Sequence, residues 1–309
     1  MVDVQAQIDA LASGALVRPL PQLATLIVSG EERQSWLSGM LTGEVDELGS
    51  GQGSYTLAVG KNGRIRSEVW LALTDETVLL GVPADVVESL HGHMDGFLVM
   101  EDAEIEPSST PLAWWLAHGP KAAEVAEAAK REGATAVMGR YGEFDTALII
   151  AERGASPTLA DQLLAPAGIV LATPDGWNRI RIEHMLPRFG VDFGVENFPQ
   201  EASLEGLAVS FNKGCYLGQE AVFMLQKRGH VNKRLVRLKL DAAVKLSAGD
   251  KIHDQDGAVV GEVTSAALTE DGAIAMGLVR YKQTISGTRL RVAGHDATVS
   301  CLSAREDCD

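Results

Sequence analysis

The most informative stretch of the chain reads Lys213-Gly214-Cys215-Tyr216-Leu217-Gly218-Gln219-Glu220. Its two glycines let the backbone turn sharply and leave room for a ligand to approach. The residues from Gln219 to Arg228 then predict a short helix, because an acidic residue opens that run, basic residues close it and a glycine follows. Cys215 is therefore expected just ahead of a helix N-terminus and close to Lys213, and both features favour the thiolate form.

Two interpretations of Cys215 follow from this setting. A buried structural cysteine in a loop-to-helix turn is the ordinary one, because free cysteines are usually buried. The polar neighbours and the paired glycines favour a partly exposed, functional thiol instead. The second interpretation makes Cys215 the candidate catalytic residue.

The same eight residues carry a resemblance to a known family. The pattern Lys-Gly-Cys-Tyr-x-Gly-Gln-Glu is similar to the signature of the YgfZ-type folate-binding proteins, relatives of the glycine-cleavage T-protein, an aminomethyltransferase. Around Cys215, the motif positions carried over to this chain are Lys213, Gly214, Tyr216, Gly218, Gln219 and Glu220. The resemblance implies a GcvT-like α+β folate-binding fold, with two α/β lobes and a C-terminal antiparallel β-barrel, and tetrahydrofolate or a derivative as cofactor.

Composition sets broad limits on what the protein does. Its 309 residues are 46% apolar and 22% charged, which is typical of a soluble globular protein with two or three domains. With 42 acidic and 27 basic residues the net charge is −15, so contact with a polyanion requires a local basic patch. Three cysteines without regular spacing argue against a four-cysteine metal site, and no metal is expected. A polar, acidic N-terminus and the lack of a membrane-length apolar run predict a cytoplasmic protein without a membrane segment.

The order of predicted elements favours an α+β architecture. Strands and helices alternate at short spacing, yet no glycine-rich phosphate loop follows any strand, which disfavours a nucleotide-binding α/β fold. The Pro- and Ser-containing linker at 106–111 is the predicted internal boundary of a two-lobed core spanning 1–228. From 229 to 309, short alternating strands separated by Gly and Asp turns predict a small antiparallel barrel. Residues 1–20 are predicted to be a loosely attached helical lead-in, and 99–105 a strand.

A second informative stretch, residues 177–183, reads Trp-Asn-Arg-Ile-Arg-Ile-Glu. Its alternation predicts a strand with Arg179, Arg181 and Glu183 on one face, ordinarily just an ion-paired surface. The resemblance implies instead that Trp177 and Glu183 contact folate. A carboxylate can accept paired N–H bonds from the amino-pyrimidinone edge of a pterin, and tryptophan offers a flat apolar face.

Basic and titratable residues are dense at the end of the predicted helix and just beyond it. They are Lys227, Arg228, His230, Lys233 and Arg234, five within eight positions of a strongly acidic protein. The ordinary interpretation is a helix C-terminus with dipole-compensating cations. The density equally indicates an anion site, either for the glutamate tail of folate or for an RNA phosphate.

The resemblance also bears on enzymatic activity. The T-protein transfers a one-carbon unit from an aminomethyl-lipoyl carrier to tetrahydrofolate, with an aspartate of a Gly-Gly-Ile-x-Asp-Asp strand as general acid/base. The matching residues here end in Ser67-Glu68. Ser67 cannot act as a carboxylate base at neutral pH, and Glu68 is expected to face away from the site because successive strand residues point to opposite faces. Glycine-cleavage activity is therefore not expected.

The function implied by the resemblance is that of a folate-dependent accessory protein. It supports the assembly or repair of iron–sulfur clusters and, through iron–sulfur enzymes, tRNA modification, with Cys215 as the working thiol. The expected partners are folate, an iron–sulfur protein and a contact with tRNA, for a protein that acts as a monomer. Two alternatives stay open. One is a folate-dependent one-carbon transferase of the aminomethyltransferase or demethylase type, and the other is an RNA-binding module that uses residues 227–234.

Overall fold

The structure is a computed structural model that describes residues 3–154 and 157–301. Its helices are α1 (Val4–Ser13), α2 (Arg33–Met40), α3 (Val87–Asp95), α4 (Ala122–Arg131), α5 (Pro157–Leu164), α6 (Pro174–Glu183), α7 (Glu205–Ala208) and α8 (Gln219–Arg228). The strands of the first part are β1 (Ala15–Pro19), β2 (Leu23–Ser29), β3 (Gly53–Val59), β4 (Ile65–Leu73), β5 (Val78–Pro83), β6 (Glu104–Pro107), β7 (Leu112–His118), β8 (Thr135–Tyr141), β9 (Phe144–Glu152) and β10 (Ile169–Leu171). Those of the last part are β11 (Lys233–Leu240), β12 (Lys251–His253), β13 (Val259–Thr269), β14 (Gly272–Arg280), β15 (Arg289–Val292) and β16 (His295–Cys301).

The chain divides into two compact units. Unit 1 takes its described residues from Met1–Val59, Arg66–Thr173 and Asn212–Leu217, and unit 2 from Gly60–Ile65, Pro174–Phe211 and Gly218–Asp309. The motif at 213–220 is therefore shared between them, with its first five positions in unit 1 and its last three in unit 2. No helix in the described part of the chain combines the length and apolar character needed to cross a bilayer.

Unit 1 is built from two five-stranded sheets, each covered by helices on one face. The strand orders are β3-β4-β5-β2-β6 and β10-β1-β7-β9-β8. Helices α2 and α3 pack on the first sheet, and α4 and α5 on the second. Helix α4 illustrates this packing. Its buried residues recur at helical spacing and form one apolar stripe that faces the sheet, namely Ala122, Val125, Ala126 and Ala129. The connection from β6, which ends at Pro107, to β7, which begins at Leu112, joins the two sheets.

Of the loosely attached helical lead-in predicted at residues 1–20, the helix is present as α1 but the loose attachment is wrong, and residues 1 and 2 lie outside the described residues. Helix α1 is followed by β1, which pairs antiparallel with β7 and parallel with β10. Ala15, Leu16 and Val17 are fully buried, and the side chain of Gln7 bonds to Thr173. This interior strand is a short apolar run, and such a run carries no alternation that would distinguish it from a helix.

The strand predicted over 177–183 is also wrong, because these residues lie in α6. Asn178 and Arg181 bond at i,i+3, and Arg179 and Glu183 pair at i,i+4, which is the spacing of neighbours on a helix. Three consecutive residues, Ile180 to Ile182, are buried, whereas an alternating strand would bury only every second one. Pro174 opens the helix, at the position where proline costs no hydrogen bond.

Unit 2 contains the predicted antiparallel barrel. Its six strands close in the order β11-β14-β13-β12-β15-β16, and each pair of neighbouring strands is antiparallel, so the predicted architecture is confirmed. Short runs at 235–240, 258–267, 273–280, 288–293 and 296–302 predict five of these strands, and the three-residue β12 has no predicted counterpart. On the outside of the barrel, Ile182 and Met185 pack with Leu235 and Met276. This cluster joins α6 to the barrel wall.

The strand predicted at 99–105 is only partly present, since β6 begins at Glu104. Ahead of it, the carboxylate of Glu101 accepts hydrogen bonds from the backbone N–H groups of Val99 and Met100. These local bonds hold a turn in place of a sheet ladder.

Candidate functional site

The first half of the motif is a loop anchored to the last turn of α2 and to the segment that follows it. The ammonium of Lys213 donates to the carbonyl of Leu41 at 3.1 Å and to that of Gly43 at 2.6 Å. The N–H of Leu217 donates to the carbonyl of Gly39 at 2.9 Å. Burial lowers the pKa of Lys213, with the charges of Glu44 and Asp46 opposing it. Lys213 therefore fixes the loop at one end and Leu217 at the other.

Cys215 lies in this anchored loop with its side chain exposed and its thiol free. The exposed position agrees with the predicted functional thiol and not with a buried structural cysteine. Helix α8 begins four residues later, with the bounds that the sequence predicts. Its N-cap, Gly218, has φ 79°, a left-handed conformation that glycine adopts without steric cost, whereas Gly214 has open space where a side chain would start. Gln219 and Glu220 form the first turn of α8 in unit 2.

Tyr216, next to the exposed cysteine, is turned inward. It is 6% exposed, and burial raises its pKa well above the ordinary range. Its ring lies beneath the Lys213 ammonium, 5.7 Å from the ring centroid. The buried Tyr216 hydroxyl finds no hydrogen-bond partner among the described residues. An unsatisfied buried hydroxyl is costly, so this group is a candidate contact for a ligand.

A polar and aromatic cluster inside unit 1 contains Glu68. The hydroxyl of Tyr55 on β3 donates to Glu68 Oε2 on β4 at 3.0 Å, and both side chains are buried. Trp70 and Tyr141 complete a trio of rings with Tyr55, at centroid distances of 4.7 to 5.0 Å. Burial raises the pKa of Tyr55, and the nearby Glu68 raises it further. The Glu68 carboxylate thus lies among buried titratable and aromatic side chains of unit 1, and the expectation that it faces away from the folate site stays a prediction.

The same cluster contains a buried histidine held in one tautomer. Arg18 Nε–H donates to His118 Nε2 at 3.1 Å, so the ring proton lies on Nδ1, 2.9 Å from the Thr146 hydroxyl. Burial, and then the charge of Arg18, lower the pKa of His118 well below its ordinary value of 6.5. The Arg18 guanidinium also lies 5.9 Å from the centroid of the Trp70 ring. The sequence does not indicate this group, because its members come from different strands that only the sheet pairing brings together.

The two predicted folate contacts, Trp177 and Glu183, both lie on α6 and are half-buried. Six residues along a helix rotate a side chain by about 600°, which leaves the two about 120° apart around the axis. The Glu183 carboxylate pairs with Arg179 Nε at 2.9 Å and is 28% exposed. Its backbone carbonyl accepts a hydrogen bond from Arg237. The helix thus presents Trp177 and Glu183 on separate faces.

The third residue of the predicted strand face, Arg181, is a structural residue. It pairs with Asp192 at 2.6 Å, and the two side chains are 4% and 0% exposed. The second nitrogen of Arg181 donates to Ser265 at 2.6 Å and to Asn178 at 2.8 Å. Thr264 and Ser265 donate to the other oxygen of Asp192. This network fastens α6 to β13, and its bonds are satisfied within unit 2.

The predicted anion-binding residues at and beyond the end of α8 make separate contacts. Arg234 turns to Glu205, with which it forms an ion pair at 2.5 Å. Lys227 lies over the ring of Phe223, 5.3 Å from the centroid. Lys233 is exposed, and the side chain of Arg228 lies outside the described part of the structure. Among the described side chains of these four cations, Lys233 alone forms neither an ion pair nor a ring contact.

Comparison with known proteins finds one matching family model and several sequence relatives. Residues 232–303 match the family model of the CAF17 C-terminal β-barrel domain. A tRNA-modifying protein YgfZ of Escherichia fergusonii is 25% identical over 84% of this chain and 83% of its own length. An aminomethyltransferase of Lysinibacillus sphaericus is 25% identical over 83% of this chain and 76% of its own. A putative chloroplastic transferase of Arabidopsis thaliana is 26% identical over 89% of this chain and 67% of its own.

Among solved structures, the glycine cleavage system aminomethyltransferase T of Bartonella henselae has the same fold. The two superpose with a TM-score of 0.80 over 97% of this chain and 88% of the other, at 20% identity. The fold is therefore that of the aminomethyltransferases, with two α/β sheets and a closed C-terminal barrel. In sequence the chain is similar to the tRNA-modifying proteins named YgfZ, and its last part to the CAF17 C-terminal barrel, on a GcvT-like fold.

Proposed function

We propose that this protein binds tetrahydrofolate or a derivative and supports iron–sulfur cluster assembly or repair, and thereby tRNA modification. The observation that carries the proposal is the free, exposed Cys215 in a loop fixed by Lys213 and Leu217. Relatives named tRNA-modifying protein YgfZ, at 24 to 26% identity, support it. We propose further that the protein acts as a monomer in the cytoplasm on an iron–sulfur protein partner.

Helix α6 offers two kinds of group that suit a folate, and because they lie on different faces of the helix they would contact different parts of the ligand. Glu183 offers a half-buried carboxylate to an amino-pyrimidinone edge, and Trp177 offers a half-buried indole to a pterin or benzoyl ring. Reduced folate, when bound, would supply a carrier for one-carbon units. The ion pair with Arg179 orients the Glu183 carboxylate.

Cys215 is the proposed working thiol. A single cysteine cannot hold an iron–sulfur cluster, since clusters are held by sets of thiolates, so Cys215 would contribute one ligand or one exchange step to a partner's site. Exposure makes the thiol accessible to such a partner, and the anchored loop limits the positions that it samples.

The proposal is tested by calorimetry of tetrahydrofolate binding to the wild type and to Trp177→Ala/Glu183→Ala. We expect micromolar binding by the wild type and its loss in the double variant, at an unchanged midpoint of thermal unfolding. Lys239→Ala, an exposed barrel residue, is the control and should bind as the wild type does. Cys215→Ser should bind folate normally but fail to restore the activity of iron–sulfur enzymes in cells that lack this protein. Absence of binding by the wild type would refute the folate part of the proposal.

One observation favours a second candidate, a folate-dependent one-carbon transferase. Glu68 is a buried carboxylate that accepts a hydrogen bond from Tyr55, which is the kind of group a general acid/base requires. The measurement is the release of ammonia and the formation of methylene-tetrahydrofolate from an aminomethyl-thiol donor. Turnover that Glu68→Gln abolishes, with folate binding retained, would establish this function; no turnover by the wild type would remove it.

A further inference from the structure

A surface of unit 2 carries chemistry that the proposed folate and thiol roles do not use. The ring of His230 stacks on that of Tyr281, with centroids 4.6 Å apart and planes inclined by 27°. Both side chains are exposed, Tyr281 to 40%. Three exposed cations belong to the same short segments, namely Lys233, Arg280 and Lys282. These five residues are here called the His230–Tyr281 surface.

The barrel brings the five residues together. Lys233, the first residue of β11, lies opposite Arg280, the last residue of β14. The N–H of Tyr281 donates to the carbonyl of Asn232 at 2.9 Å, so the pairing continues one step past the strands. A 3-10 turn over Tyr281–Gln283 follows at once and includes Lys282. The two segments are far apart in the sequence, so the local basic cluster at 227–234 indicates only half of this surface.

The charges of the surface are not neutralised by close ion pairs. Lys233, Arg280 and Lys282 form no ion pair with any residue that the structure describes. The nearby carboxylate of Glu262 pairs with Lys251 at 2.8 Å. Like charges directly opposite on paired strands, as at Lys233 and Arg280, destabilise a sheet. On a protein of net charge −15, such a local group of cations is suited to a polyanion.

We infer that the His230–Tyr281 surface binds single-stranded RNA. An unpaired base would stack on the exposed aromatic pair, and the phosphates on either side would contact Lys233, Arg280 and Lys282. A single strand fits better than a duplex, because bases within a duplex are stacked on one another and cannot reach a side-chain ring. The inference rests on the proposed role in tRNA modification and deepens it by naming the surface and the form of RNA.

The experiment measures fluorescence anisotropy of a short labelled single-stranded RNA, and of a duplex RNA of the same composition, with the full chain at several salt concentrations. Arg280→Gln/Lys282→Gln should weaken binding of the single strand and reduce the slope of log K against log salt by about 1.4, since each lost phosphate contact contributes about 0.7. Arg289→Gln/Arg291→Gln removes the same charge from another exposed part of the barrel and should have little effect. Tyr281→Ser should weaken binding about fivefold or more while the salt slope stays unchanged.

Several outcomes would overturn the inference. They are no binding by the wild type at low salt, an equal loss in Arg289→Gln/Arg291→Gln, equal affinity for duplex and single strand, and displacement of the RNA by polyglutamate at equal concentration. Thermal unfolding checks that each variant folds. If Tyr281→Ser does not fold, His230→Ser is measured in its place. Tetrahydrofolate binding is measured on the same samples. If the protein binds RNA but not tetrahydrofolate, the proposed folate function is refuted and the inference about this surface holds. If the protein binds tetrahydrofolate but not RNA, the inference about this surface is refuted and the folate function holds.

Discussion

At the level of single residues, Arg181 and Asp192 form a buried ion pair at the centre of a hydrogen-bond network in unit 2. Their side chains are 4% and 0% exposed, and their further hydrogen-bond partners include the polar side chains of Asn178, Thr264 and Ser265. A charge left buried without its partner is strongly destabilising, whereas removal of both charges costs less. Arg181→Met should therefore lower the free energy of unfolding by about 3–5 kcal/mol. Urea denaturation measures the loss.

The double variant Arg181→Met/Asp192→Leu and the exposed pair of Lys251 with Glu262 serve as controls. We expect the double variant to be more stable than Arg181→Met, because no lone charge remains buried. Lys251→Ala should cost less than about 1 kcal/mol, as exposed ion pairs do. A loss for Arg181→Met no larger than that for Lys251→Ala would contradict the assigned role of the network.

His118 should make stability depend on pH. Its pKa in the folded chain is lowered, by burial and then by Arg18, so the unfolded chain takes up the proton first as the pH falls. The contribution of neutral His118 to the free energy of unfolding is therefore fully present above pH 6.5. Below pH 6.5 this contribution is lost as the pH falls, by up to about 1.4 kcal/mol per pH unit. The free energy of unfolding, measured in urea between pH 8 and pH 5, should fall less steeply for His118→Gln than for the wild type. His295→Gln, at an exposed site, should retain the wild-type slope; equal slopes for all three would refute the prediction.

At the level of elements, the tip of the β3–β4 hairpin packs on α8. Gly63 has φ +75°, and a Cβ there would lie 2.8 Å from that of Ala221 and 3.4 Å from the backbone nitrogen of Val222. Gly257, at φ +85°, has open space around it. Both Gly→Ala changes cost the left-handed strain of about 1–2 kcal/mol, and only Gly63→Ala adds overpacking, by a further ~1–3 kcal/mol. The two free energies of unfolding, compared in urea, should differ accordingly, and equal losses would show that α8 moves aside freely.

The elements also show which parts of the structure can be predicted from the sequence and which cannot. Helix α8 is predicted with its observed bounds, because charge at both ends and glycines beyond them all agree. Helix α6 is predicted wrongly, since Trp-Asn-Arg-Ile-Arg-Ile-Glu satisfies both a period of two and the i,i+4 pairing of Arg179 with Glu183. The exposure of Cys215 agrees with its polar neighbours. The cluster around Glu68 and His118 and the approach of Tyr281 to His230 could not be predicted, because both depend on long-range strand pairing.

At the level of the whole molecule, experiments on fragments can define which C-terminal part of the chain folds independently. The boundary at residue 229 stays a prediction. Cutting there would remove Ile182 and Met185 from the cluster they form with the outside of the barrel, and would deprive Leu235 of its bond to the Glu201 carbonyl. It would also leave the buried guanidinium of Arg237 without the Glu183 carbonyl. Unit 2 keeps these contacts when the chain starts at Pro174.

We therefore expect a fragment of residues 174–309 to unfold cooperatively in urea, followed by far-UV circular dichroism, at a higher midpoint than a fragment of residues 229–309. The physical reason is that the shorter fragment exposes the apolar outer wall of the barrel and leaves Thr264 and Ser265 without the network of Arg181 and Asp192. Arg181→Met in the longer fragment should remove most of the difference. If the shorter fragment is as stable as the longer one, the barrel folds alone, and α6 is then an addition to its surface and not a part of its folding unit.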